Sequence, residues 1–162
     1  MKTCGCCPRL VRGRALVACF ALLAALAVAG EKPVPTALEL TRPVRVWEFL
    51  PIVGTRAGLF GNERGQMEAW VYPLKIFRDF RLTFHVDGRA LPAESLVRTL
   101  IVHPESATLV YAGDNFSVRE TFFVPVREPG AAIWFDVETE QPLEIEASFV
   151  GDFQLEWPAG LG

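Results

Sequence analysis

In RDFRLTFHVDGRALP, Arg78 to Pro92, the apolar residues Phe80, Leu82, Phe84 and Val86 alternate with Asp79, Arg81, Thr83 and His85. A period of two places one set on each face of a β-strand, and Asp87-Gly88 supplies the two residues of a hairpin turn. SLVRTLIVHPES and ATLVYAGDN read as the next two strands, joined around Pro104-Glu105-Ser106, and Gly113-Asp114-Asn115 turns the chain into FSVRETFFVPV. There Phe116, Val118, Phe122 and Val124 share a face. After the turn REPG, Ile133, Phe135 and Val137 point opposite to Trp134, Asp136 and Glu138, and Leu143, Ile145, Ala147 and Phe149 repeat the alternation. No segment after Pro35 carries an apolar stripe of helical period. Turn signals every eight to twelve residues or so predict an all-β fold, an antiparallel β-sandwich.

The stretch GLFGNERGQMEAWVYPLKI, Gly58 to Ile76, is less regular. Read as one strand from Gln66 to Ile76, it sets Met67, Ala69 and Val71 on one face and Glu68, Trp70, Tyr72, Leu74 and Ile76 on the other. Both faces are then partly apolar, the pattern of a strand covered on both sides. GNERG before it reads as a turn, with Gly61 and Gly65 able to take positive φ. Aromatic faces stack on the C–H faces of pyranose rings, and neighbouring carboxylates and amides accept hydroxyl hydrogens. Glu68, Trp70 and Tyr72, with Asn62 and Glu63 in the turn, are therefore the candidate sugar-binding residues. The competing expectation places Trp70 and Tyr72 in the core or against a second domain, because Leu74 and Ile76 continue their face.

The N-terminus changes the accounting. Lys2, Arg9, Arg12 and Arg14 precede an apolar run from Ala15 to Ala29, which Glu31, Lys32 and Pro33 end. This is the layout of a secretory signal peptide over residues 1–30, too short for the roughly twenty residues of a membrane-crossing helix. An exported protein, periplasmic or extracellular, without a permanent membrane span is expected. Cys4, Cys6, Cys7 and Cys19 all fall inside the signal, so the domain over residues 31–162 has no disulfide framework. Four of the sixteen basic residues lie there and none of the nineteen acids, which leaves twelve against nineteen, a net of −7. That balance argues against a nucleic-acid partner. Roughly 130 residues remain, enough for one core.

Candidate chemistry is sparse. Glycoside hydrolysis needs two carboxyl groups facing each other across a bond. Glu63, Glu68, Asp79, Asp114, Glu120 and Asp152 qualify by type, but no spacing selects a pair, and a carboxylate on an alternating strand ordinarily faces solvent. His85 and His103 lie on separate strands and define no metal site. Ser95, Ser106, Ser117 and Ser148 occupy no nucleophile elbow. GTRAGLFGNERG lacks the lysine and the strand-to-helix context of a phosphate loop. No catalytic residue, metal or cofactor is called for.

The blocks GLFGNERGQMEAWVYPLKIFRDF and VRETFFVPV and the ending DFQLEWPAGLG resemble the N-terminal β-sandwich of bacterial glycogen-debranching-type glycosidases. In that clan a sandwich precedes an (α/α) barrel, and the likeness runs from about Leu38 to Gly162 without a catalytic signature. The resemblance implies a non-catalytic domain acting in α-glucan or oligosaccharide metabolism, whose acid and base belong to a C-terminal barrel. This sequence stops where that barrel would begin, so the barrel is the implied partner, with an apolar docking face at Phe153, Leu155 and Trp157. The alternative is a free-standing exported module that binds carbohydrate or protein.

Overall fold

The computed structural model describes residues 38–155, so the signal-peptide segment and Trp157 lie outside the described residues. Among the described residues there are eleven strands and one short 3-10 turn, Ala93–Ser95. They are β1 Leu40–Pro43, β2 Phe49–Val53, β3 Ala57–Asn62, β4 Met67–Val71, β5 Leu74–Val86, β6 Arg89–Pro92, β7 Val97–His103, β8 Ser106–Ala112, β9 Phe116–Phe123, β10 Ala132–Thr139 and β11 Glu144–Leu155. One sheet runs β1-β7-β8-β9-β10 and the other β11-β5-β4-β3-β2, with β6 continuing alongside β5. Every pairing is antiparallel, and the two sheets pack as a sandwich.

The alternating residues fill the space between the sheets. Phe80, Leu82, Phe84 and Val86 of β5 are buried, as are Phe116, Val118 and Phe122 of β9 and Val124 just after it. Phe84 joins the layers by meeting Tyr111 and Phe116 nearly edge-on, at centroid distances of 5.4 and 5.5 Å. The Asp87-Gly88 hairpin forms as the pattern predicts, with φ of 49° and 71°.

One expectation needs correction. Gln66 to Ile76 is a hairpin and not one strand: Tyr72-Pro73 form the turn, and Trp70 and Val71 pair with Lys75 and Leu74 across it. Proline has no N–H to give a ladder, so it terminates β4. Leu74 and Ile76 therefore return on β5 and do not extend the face of Trp70. Within GNERG only Gly65 has positive φ, 85°. Gly61 belongs to β3, where an added Cβ would stand 2.0 Å from the Gln66 carbonyl oxygen.

The β3–β4 turn is fastened from inside. Glu63 is 1% exposed and accepts from both terminal guanidinium nitrogens of Arg42, Nη1 at 2.9 Å, and from the Arg45 N–H at 2.5 Å. Burial disfavours its charge, but the Arg42 and Arg45 hydrogen bonds and the positive charges of both arginines outweigh this, holding the carboxyl below its usual range. The chain between β1 and β2 is thereby locked to the β3–β4 turn.

Candidate functional site

The outer face of the β11-β5-β4-β3-β2 sheet carries a group of aromatic residues that the core does not use. Register places Phe60 opposite Glu68, Gly58 opposite Trp70 and Phe49 opposite Asn62. Gly58 is required here: a Cβ would come within 2.5 Å of the Tyr72 hydroxyl and 2.7 Å of the Phe60 ring, because both side chains lie over its backbone. The result is an open hollow of about 340 Å³ lined by Phe49, Phe60, Glu68, Trp70 and Tyr72. Phe49 is 64% exposed and stacks on Phe60 with rings 9° from parallel and centroids 6.3 Å apart.

Glu68 organises the floor. Its Oε1 accepts from Trp70 Nε1 at 2.8 Å and its Oε2 lies 3.3 Å from Lys75 Nζ, while Lys75 sits 4.8 Å from the Trp70 ring centre. An indole held by a hydrogen bond at its edge and a cation near its face has a fixed orientation. Desolvation raises the Tyr72 phenol above its ordinary value, so the hydroxyl stays protonated at neutral pH.

A second hollow, of about 460 Å³, shares Phe49, Phe60 and Glu68 with the first and continues to Trp47, Asn62, Gln66, Arg78 and Asp79. Trp47 lies in the turn before β2, is 84% exposed, and has the Arg64 guanidinium 4.1 Å from its ring centre. Asn62 Oδ1 accepts from the Arg64 backbone N–H at 3.0 Å, and Asn62 Nδ2 donates to Gln66 Oε1 at 3.2 Å. Arg78 and Asp79 together oppose the single residue Glu68, a β-bulge, and Asp79 has φ 56°.

Of the five sugar-binding candidates, Glu68, Trp70 and Tyr72 thus meet in one hollow and Asn62 lines its neighbour. Glu63 does not face a ligand: it is buried and engaged with Arg42, which corrects its assignment as a surface contact. Sequence reasoning missed Trp47, Phe49 and Phe60, and it named Asp79 only among the carboxylates that no spacing selects. Of the proposed docking residues, Phe153 is 68% exposed on β11, where Phe149 and Val150 are exposed beside it; Leu155 pairs with Leu74 in the ladder, and Trp157 is outside the described residues.

A further perturbed group lies between the sheets. Glu120 is fully buried; its Oε2 accepts from the Tyr111 hydroxyl at 2.5 Å, and its Oε1 meets no donor among the described residues. Burial pushes its pKa up to about 8, against the lowering effect of the Tyr111 hydrogen bond. This corrects the expectation that Glu120 faces solvent. Among the described residues no cluster of three or more His, Cys, Asp or Glu could hold a metal ion, and no helix is long and apolar enough to cross a membrane. No protein-family model, curated protein or solved structure matches the chain.

Proposed function

We propose that this is the non-catalytic β-sandwich of an exported glycosidase of the glycogen-debranching type, and that it binds α-glucan on the outer face of its aromatic sheet. The observation that carries the binding role is the open hollow formed by Trp70, Tyr72, Phe60 and Phe49 around Glu68. Ligand sites are concave, mostly apolar and marked by a few oriented polar groups, and the hollow has each property. Rings that burial does not use, together with a carboxylate fixed beside them, suit a ligand with apolar C–H faces and hydroxyl edges. The test is calorimetric titration of the protein with maltoheptaose. Binding that Trp70→Ala abolishes without unfolding the domain is expected; wild-type protein that gives no heat at millimolar sugar rejects the reading.

The exposed apolar residues Phe149, Val150 and Phe153 on β11 favour a second role, a surface that another domain covers. Sedimentation tests it: self-association of the wild type relieved by Phe153→Ser is expected, and a monodisperse wild-type monomer counts against it.

A further inference from the structure

The two hollows are neighbours. Phe49, Phe60 and Glu68 line both, so the two openings adjoin on one face of the sheet. We propose that they form one groove for a neutral oligosaccharide of at least two sugar rings, one lying over Trp70 and Tyr72 and the next recognised through its hydroxyls by Asp79 and Arg78 beneath Trp47. This rests on the carbohydrate-binding reading above and adds the polar end of the site, its ligand length and its charge class.

The β5 bulge is the first support. A non-glycine residue at positive φ is uncommon, and such conformations concentrate where a side chain is re-aimed for use. Here the bulge sets Arg78 and Asp79 against Glu68, on the wall that the two hollows share. Asp79 is about half exposed; its Oδ2 accepts from Arg78 Nη1 at 2.6 Å, and no bond to its Oδ1 is made among the described residues. A planar guanidinium beside a planar carboxylate offers donors and acceptors at the spacing of vicinal hydroxyls.

Trp47 is the second support. Its ring carries Arg64 on one face yet is 84% exposed, so it is braced while the rest of its surface remains open. An exposed tryptophan beside a half-exposed ion pair combines stacking with hydrogen bonding at a single point.

Charge decides the class of ligand. Each carboxylate that reaches the groove already has a cation, Lys75 for Glu68 and Arg78 for Asp79. Among the described residues that line the two hollows the one cation, Arg78, is thus paired, and Arg64 at the margin lies against the Trp47 ring, so a neutral chain is accommodated with both pairs intact.

The experiment titrates the purified protein with glucose, maltotriose and cellotriose, following heat and tryptophan fluorescence. At least a tenfold gain in affinity from glucose to one of the trisaccharides is expected. Asp79→Asn should remove most of that gain while leaving glucose binding in place, and Trp47→Ala should do the same. Asparagine tolerates the left-handed conformation as aspartate does, and Trp47 lies on an exposed turn, so neither change should unfold the sheet. Equal affinity for glucose and both trisaccharides, or a length dependence that Asp79→Asn and Trp47→Ala leave untouched, overturns the groove and leaves the platform standing. Absence of binding to all three sugars overturns both.

Discussion

Glu120 sits on β9 in register with Phe116, Val118 and Phe122, so the same alternation that builds the core carries a carboxyl group into it. Its proton is the variable to perturb. Desolvation raises the pKa from 4.5 to about 8. Because the folded pKa lies above the unfolded one, the stabilising contribution is complete below about pH 4.5 and is lost as pH rises toward 8. With about 1.4 kcal/mol per pH unit, the full span is worth about 5 kcal/mol, of which about 3 to 4 kcal/mol falls between pH 5 and pH 8. That is a large share of the 5 to 15 kcal/mol typical of a domain.

Glu120→Gln isolates the effect. The amide keeps the shape and an oxygen to accept from Tyr111, and its NH2 replaces an Oε1 that already lacks a donor among the described residues, so the number of unpartnered polar atoms is unchanged. What disappears is the charge. Urea denaturation of both proteins at pH 5 and pH 8 should show the stability of the variant relative to wild type rising by about 3 to 4 kcal/mol across the interval, with m-values unchanged. A stability difference that is the same at both pH values, within about 0.5 kcal/mol, would show that Glu120 does not titrate there and would refute the reasoning.

Gly65→Ala should destabilise by about 1 to 3 kcal/mol in urea, because its φ of 85° penalises a side chain and the new Cβ would stand 2.4 Å from the Tyr111 hydroxyl; an unchanged midpoint would mean the turn relaxes freely. Glu63→Gln should cost about 3 kcal/mol near pH 7, the lower end for breaking a buried pair because Arg42 keeps some solvent. The Glu63 carboxyl is depressed, so its contribution is present above about pH 4.5 and fades as pH falls; the wild-type advantage should shrink in acid, and a penalty independent of pH would falsify the ion-pair account.

Period two made much of the fold legible. From β5 to β11 the apolar residues fall on alternate positions, and Pro104, Gly113 and Asp87-Gly88 mark the turns, so the strands and the buried face of β5 and β9 follow from local pattern. β1 and β2 are short, and Pro43 and Pro51 interrupt them, which the alternation argument cannot accommodate. Pro73 carried the information that splits Gln66 to Ile76 into two strands, yet the apolar residues on either side masked it. The bulge left one trace: Phe77 and Phe80 both pack on the core and are three apart, a spacing that a regular strand forbids.

The site is harder to read for a physical reason. Glu68, Trp70 and Tyr72 share a face because they are two apart on one stretch, so counting finds them. Phe49 and Phe60 reach them only through the β2–β3–β4 register, and that register depends on which residues oppose across two turns. The carboxylates show the limit most sharply. Glu63 and Glu68 are five apart on the same hairpin, yet one is enclosed by Arg42 and Arg45 while the other borders the open hollow. Their residue type is identical, and what separates them is the partner that the fold brings to each. The inner clamp also serves the outer groove: Glu63 holds the turn whose neighbours Asn62 and Gln66 line the hollow, and Arg64 in that turn braces Trp47. A substitution that frees the turn from inside should therefore disorder the polar end of the groove before it disturbs Trp70 and Tyr72, whose position is set by Glu68 and by the bare backbone of Gly58.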